Sequence, residues 1–238
     1  MAQGAHKITE QFEQELCKYT GSPYAVAVDN CSNALFLALW YEINIKKALS
    51  KKFEGLPAFN KYFPVHIPRH TYPSVACEII HAGGKVKFSD EYDCCKDGKI
   101  TGSYPLLPTN VIDCALTFTH NMFCPGTYQC LSFTGPYKHL KLGKGGAILT
   151  DDIEAEAWFR LARFSGRSEC SYFEDNFDRP LNPWTNGIAG WNFYMMPEIA
   201  ARGILLMQQF YDVNGKPKTN EDLCLPYPDL SKFKIFQQ

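Results

Sequence analysis

Residues 24–39, YAVAVDNCSNALFLAL, decide the fold of this chain. The first five are an apolar run of small and β-branched residues, the make-up of a buried strand. Asp29 to Asn33 is a polar turn, and Ala34 to Leu49 reads as a largely buried helix. A strand, a turn and a helix in that order aim the free N–H groups of the helix start into the loop, which is what an anion site requires. Just upstream, Ile8, Phe12, Leu16 and Tyr19 share one face of a short helix that Gly21-Ser22-Pro23 stops.

The alternation continues outward from this unit. Ser74 to His81 reads as a helix, Gly83-Gly84 as a break and Lys85 to Phe88 as a strand. Asn110 to Asp113, Gln129 to Phe133 and Ala147 to Thr150 are three more short strands. Asp152 to Arg163 is helical, with Ile153, Ala157, Leu161 and Ala162 as its buried side. Pro197 suits the first turn of a last helix, Glu198 to Phe210. After Val213 the composition turns to Asn, Gly, Lys and Pro, and the expectation is an extended tail. Strands alternating with helices predict an α/β protein, a three-layer α/β/α sandwich around a mainly parallel mixed sheet. The organisation expected is one large domain over 1–213 and a short tail over 214–238.

Bulk properties exclude some classes of function. A chain of 238 residues with net charge -1 offers no overall electrostatic footprint for nucleic acid or an anionic membrane. The start, MAQGAHKITEQFEQEL, has no apolar core of a signal peptide, and the most apolar stretch, Ala34 to Tyr41, is too short to span a bilayer. None of the ten cysteines forms a CxxC pair, so a reduced, cytoplasmic protein is expected. The six histidines show no HExxH spacing, and no metal site is proposed from them.

Five segments, in order, carry a resemblance: FEQELCKYTGSPYAVAVDNCSNALFLAL (12–39), IPRHTYPSVACEIIHAGGKVKFSD (67–90), NVIDCA (110–115), LSFTGPYKHLKLGKGGAILTDD (131–152) and GWNFYMMPEIAA (190–201). Together, over roughly residues 8 to 210, they resemble the DegT/DnrJ/EryC1/StrS sugar-aminotransferase family. The resemblance implies the large domain of type I pyridoxal-phosphate enzymes and pyridoxal 5'-phosphate as cofactor. Lys138 stands at the position of the lysine that carries the cofactor; taken alone it is one of four basic residues on a loop, with His139, Lys141 and Lys144. Asp113, at the end of an apolar strand, would pair with the cofactor's ring nitrogen. Two registers of NVIDCALTF compete there, one using Asp113 and the other Cys114, and only a carboxylate can hold that nitrogen protonated. By the same resemblance Ser32, Asn33 and Ser132 would hold the phosphate and Tyr72 would stack on the ring. Asn192 would reach the phosphate of a neighbouring subunit, which implies a homodimer with shared active sites. GKGG at 143–146 lacks the pattern of a nucleotide loop and reads as a tight strand entry.

The resemblance has departures. Cys31 stands where glycine is usual, Leu116 where a Gln or His is, Lys144 for a glutamate and Tyr194 for an arginine. The serine-to-lysine spacing is one residue longer, so the lysine loop must bulge. Family members continue into a domain that closes over the substrate, whereas here about two dozen residues follow the last helix. A truncated member with an open, weakly selective substrate site is therefore expected. The implied reaction is transfer of an amino group, from a donor such as glutamate, to a nucleotide-linked keto-sugar. Elimination or dehydration on the same scaffold, where a branch of the family uses histidine and His139 adjoins Lys138, stays open. So does a catalytically reduced pseudoenzyme that acts as a binding protein.

Overall fold

The computed structural model describes residues 6–46, 63–167 and 188–237. Helix α1 (Lys7–Thr20) buries Phe12, Leu16 and Tyr19, the expected face, and ends where Gly21 turns left-handed at φ 78°. Strand β1 (Tyr24–Val28) follows, and α2 (Cys31–Trp40) begins three residues earlier than its composition suggests. The reason is a cap: the Asn30 side chain accepts the Asn33 N–H at 2.8 Å, which satisfies a donor that the helix leaves free. The helix runs on as a π-turn over Tyr41–Lys46; the expected continuation over 47–49 lies outside the described residues.

Next come β2 (Phe63–Pro68), α3 (Pro73–His81) and β3 (Gly84–Ser89). Three very short strands follow: β4 (Cys95–Lys96), β5 (Lys99–Thr101) and β6 (Tyr104–Pro105). Strands β7 (Val111–Cys114), β8 (Tyr128–Ser132) and β9 (Gly146–Thr150) and helices α4 (Ile153–Ala162) and α5 (Pro197–Met207) complete the frame. A short β10 (Cys224–Pro226) lies in the C-terminal segment.

The mixed α/β architecture expected from the sequence is present. The central sheet has the order β1-β9-β8-β7-β6, with β7 and β8 parallel and the other neighbours antiparallel. The parallel pair β2-β3 joins it through His66, whose N–H donates to Leu107 O at 2.7 Å. Alternation along β1 divides the core in two. Val26 and Val28 pack with α2, α3 and α4, while Ala25 and Ala27 pack with α1 and α5, giving three layers.

A buried ion pair ties α1, β1 and α4 together. Arg163, fully buried, donates to Glu13 Oε1 and to Ala27 O, both at 2.5 Å, and Glu13 Oε1 accepts the Ala27 N–H at 2.8 Å. The end of β1, which feeds the capped turn, is fixed by this contact.

Two expectations need correction. The buried side of α4 is Ala155, Phe159 and Ala162, while Ile153 and Ala157 face solvent. Spacing by four and three lets the large Phe159 ring lead the packing, and the smaller chains follow. The segment after Val213 is not a free tail. Strand β10 pairs with β5, Leu223 N–H donates to Leu116 O at 2.9 Å, and Leu230 and Phe236 are buried. Two apolar anchors in a polar stretch suffice to dock it.

Candidate functional site

The ends of β7 and β8, the start of α2 and the loop before β9 converge. Asp113 is 4% exposed and lies on the face of the sheet that Val111 shares, toward Cys31 and Tyr104; Cys114 points into the opposite core. The register with the carboxylate facing this site is the one adopted. Asp113 Oδ2 accepts the Tyr104 hydroxyl at 2.7 Å and Oδ1 accepts the Ala115 N–H at 2.8 Å. Burial pushes the Asp113 carboxyl above its ordinary value, and those two donors together with Lys138 oppose the rise.

Lys138 sits in the loop between Thr134 and Gly143, which a bridge between those two residues closes. Its Nζ donates to Ala115 O at 2.6 Å. Burial draws the amine below the ordinary lysine range, with Cys31 and Asp113 pulling the other way. The longer loop thus brings the lysine back to the strand end.

Ser32, in the first turn of α2, donates to Ser74 Oγ at 2.7 Å, so the starts of α2 and α3 meet. Asn33 is committed locally: its N–H goes to Asn30 and its side-chain amide to Asp29 Oδ1 at 2.6 Å. Lys144, where a glutamate was expected, pairs with Asp29 at 3.4 Å. Ser132 is the β8 partner of Gly146. A side chain at Gly146 would stand 2.6 Å from the backbone of Asn30 and Cys31, so the GKGG stretch is indeed a tight strand entry and Ser132 lies one strand from the α2 start. Cys31, in place of the expected glycine, is buried there with its Sγ 3.6 Å from Cys130 O.

Tyr72 caps α3 and is 55% exposed, and its ring meets that of Tyr227 edge-on at 6.0 Å. Tyr227 comes from the C-terminal segment, where its carbonyl oxygen is 2.9 Å from His70 Nδ1. Burial, and next the negative charge of Asp113, push the Tyr227 hydroxyl up to about 12. The site expected to be open therefore has this segment beside it. Asn192 does not join the group: it lines a separate recess with Phe164, Ser165, Arg167 and Tyr194.

Sequence reasoning missed Tyr104, Thr71, Ser74 and Tyr227. Tyr104 lies in a two-residue strand beside a proline, too short for any periodicity to register. Among the described residues no helix is long and apolar enough to cross a membrane, and the cysteines are free thiols.

A lysine amine lowered by burial, a helix start and a buried carboxylate meet here, and the chemistry of these groups fits pyridoxal phosphate. Comparison with known proteins agrees on the fold. Residues 3–93 match the model of the DegT/DnrJ/EryC1/StrS aminotransferase family. No curated protein sequence matches the chain. Among solved structures, the sugar aminotransferase CalS13 from Micromonospora echinospora is 16% identical, with a TM-score of 0.61, over 85% of this chain and 60% of that one. A DegT DnrJ EryC1 StrS aminotransferase from Brucella abortus is 17% identical, TM-score 0.57, over 85% and 59%. GDP-4-keto-6-deoxymannose-3-dehydratase with bound GDP-perosamine is 17% identical, TM-score 0.61, over 85% and 61%. The chain thus spans about three-fifths of the length of each of these three structures. Residues 3–93 carry the signature of the DegT/DnrJ/EryC1/StrS aminotransferase family, and the described chain has the fold of pyridoxal-phosphate aminotransferases of type I.

Proposed function

We propose that this chain is a pyridoxal-phosphate-dependent aminotransferase whose cofactor is carried by Lys138. The observation that carries the reading is the convergence of a Lys138 amine biased toward its neutral form with the buried Asp113 carboxylate, both bonded to Ala115. When bound, pyridoxal phosphate supplies an electron sink for charge developing on the amine-bearing carbon.

The chain's own residues do the rest. Lys138, its amine drawn below the ordinary lysine range by burial, would carry the cofactor and serve as the base that moves a proton. Asp113 would pair with the ring nitrogen and favour its protonated form. Ser32 and Ser132, with N–H groups at the start of α2, would hold the phosphate, Asn33 would shape that turn through its bonds to Asn30 and Asp29, and Tyr72 would cover the ring. Residues 1–213 form the cofactor domain and 214–238 a short segment beside the site. Asn192, set apart in its own recess, would serve the phosphate of a second copy, which would make the assembly a homodimer with shared sites.

The substrate class is a nucleotide-linked keto-sugar aminated at the expense of glutamate. The fold shared with a dehydratase that holds GDP-perosamine supports a sugar nucleotide. Purified protein incubated with pyridoxal phosphate, reduced with borohydride and digested should yield a pyridoxyl peptide containing Lys138. Glutamate added before reduction should change the absorption spectrum and protect the lysine. A label on Lys141 or Lys144 instead would show the loop to be misassigned, and no label at all would overturn the enzyme reading.

A further inference from the structure

The Asp113 carboxylate has a buried phenol for a neighbour, and the fold puts it there by pairing. Tyr104 and Asp113 are directly opposed residues of β6 and β7. Tyr104 and Thr71 are buried with Asp113, and Thr71 Oγ1 is hydrogen-bonded to the Tyr104 hydroxyl. The phenol ring is fixed edge-on by Tyr92 at 6.0 Å, whose hydroxyl donates to His66 O at 2.6 Å and lies 3.1 Å from Pro105 O. Tyr104 is therefore held on three sides: by strand pairing, by a ring and by a hydroxyl.

We infer that Tyr104 is a positioning residue that keeps the Asp113 carboxylate ionised and aimed, with Thr71 setting the direction of the hydrogen-bond chain. A phenol has one proton. When Tyr104 gives it to Asp113, Thr71 must give its own to the Tyr104 oxygen, and the chain of donors ends on a carboxylate. Were Asp113 protonated and donating, every bond in the chain would have to reverse. The arrangement has two settings, and a cation at the Asp113 end favours the first.

Burial alone would favour the second setting. It raises the Asp113 carboxyl, while the Tyr104 hydroxyl, the Ala115 N–H and Lys138 lower it. The other titratable groups that feel Asp113 are Cys31 from α2, its β7 neighbour Cys114, Cys130 from β8, Cys94 from the loop before β4 and Tyr227 from the C-terminal segment. Burial pushes all five above their ordinary values, which leaves them neutral at neutral pH. Lys138 is drawn toward neutrality too. The Tyr104 hydroxyl is thus the principal side-chain device that holds charge on Asp113, and only a charged Asp113 can keep a pyridine nitrogen protonated. This role rests on the cofactor reading given above.

The test uses the ligand-free chain first. Infrared titration of wild type and Tyr104→Phe, with Asp113→Asn of each to identify the Asp113 carboxyl band, reads the protonation of Asp113 directly. The protonated band should persist to higher pH in Tyr104→Phe, and Thr71→Val, which leaves both rings in place, should shift it the same way by less. Equilibrium titration with pyridoxal phosphate should then show Tyr104→Phe binding roughly ten- to hundredfold more weakly, the usual range for a hydrogen bond to a charged group. A purely structural role would lower thermal stability without moving the Asp113 band. Identical Asp113 titration in wild type, Tyr104→Phe and Thr71→Val overturns the inference. Failure of wild type to bind pyridoxal phosphate would overturn the cofactor reading instead, with the infrared result still reporting on Tyr104.

Discussion

Lys138 and Asp113 are held by the same residue: Ala115 gives its N–H to Asp113 at 2.8 Å and its carbonyl oxygen to Lys138 at 2.6 Å. A strand end and a loop more than twenty residues later thereby share one anchor. The carboxylate meets a donor and the amine an acceptor, so each is oriented without a direct ion pair between them.

The Lys138 amine gives the first expected outcome. Burial lowers it, so a larger fraction is neutral at a given pH than for a free lysine. The rate of pyridoxal phosphate uptake should rise with pH and level off below the ordinary lysine value of 10.5. Lys138→Met should abolish covalent uptake. The folded state binds fewer protons here than the unfolded state between the lowered value and the ordinary one, so this group's contribution to stability rises with pH across that window. Rapid-mixing absorbance at several pH values measures the uptake; a profile levelling only at the free-lysine value would contradict it.

Asp113 behaves with the opposite sign. Its folded value is raised, so the native state keeps a proton that the unfolded state has already lost. Stability should fall as pH rises from the ordinary carboxylate value of 3.8 through the raised one. Asp113→Asn should remove that slope and raise the melting temperature of the ligand-free protein at neutral pH. The half-reaction with an amino donor should slow by two to three powers of ten, about 3 to 4 kcal/mol. Cys114→Ala, in the opposite core, should cost about 1 kcal/mol of stability and leave the half-reaction intact. The reverse pattern would discard the role given to Asp113.

Glu13 should matter for folding and not for chemistry. Glu13→Gln leaves buried Arg163 without this carboxylate and should cost about 3 kcal/mol in urea denaturation. Adding Arg163→Met should recover most of it. A loss below about 1 kcal/mol for the single variant would show that the pair is not what fixes β1 to α4.

The shared-site assembly has its own check. Lys138→Ala and Asn192→Ala, each inactive alone, should regain part of the activity when mixed, because a hybrid dimer has one site with both groups. A monomeric wild type with full cofactor affinity would count against it.

The C-terminal segment should govern access to the site. Leu230→Ala removes a buried anchor, and Tyr227→Ala removes the ring beside Tyr72. Both should speed cofactor exchange and broaden acceptor use, and Leu230→Ala should also quicken hydrogen exchange at the backbone amides of positions 223 and 230. Unchanged exchange in both variants would mean that the segment is only a surface covering.

The sequence by itself determined the helices and the strands β1, β3, β7, β8 and β9, and the order in which they come. Gly21 stops α1 because only the left-handed turn follows, and the apolar run from Tyr24 to Val28 has to be buried on both faces. Composition alone put Asp113 at the end of an apolar strand and Lys138 among four basic residues of a loop, and only the family resemblance singled out Lys138 and Ser132. Tertiary structure decided the rest. Tyr104 reaches Asp113 only through a two-residue strand pairing, and Tyr227 reaches Tyr72 from 155 positions away, so neither leaves a local pattern. Which side of α4 is buried was settled by the Phe159 ring finding its place against Tyr41 and Tyr128. The physical reason is the same in each case: propensity and capping act between neighbours, whereas a buried polar partner or an aromatic contact is chosen by what the finished fold brings within reach.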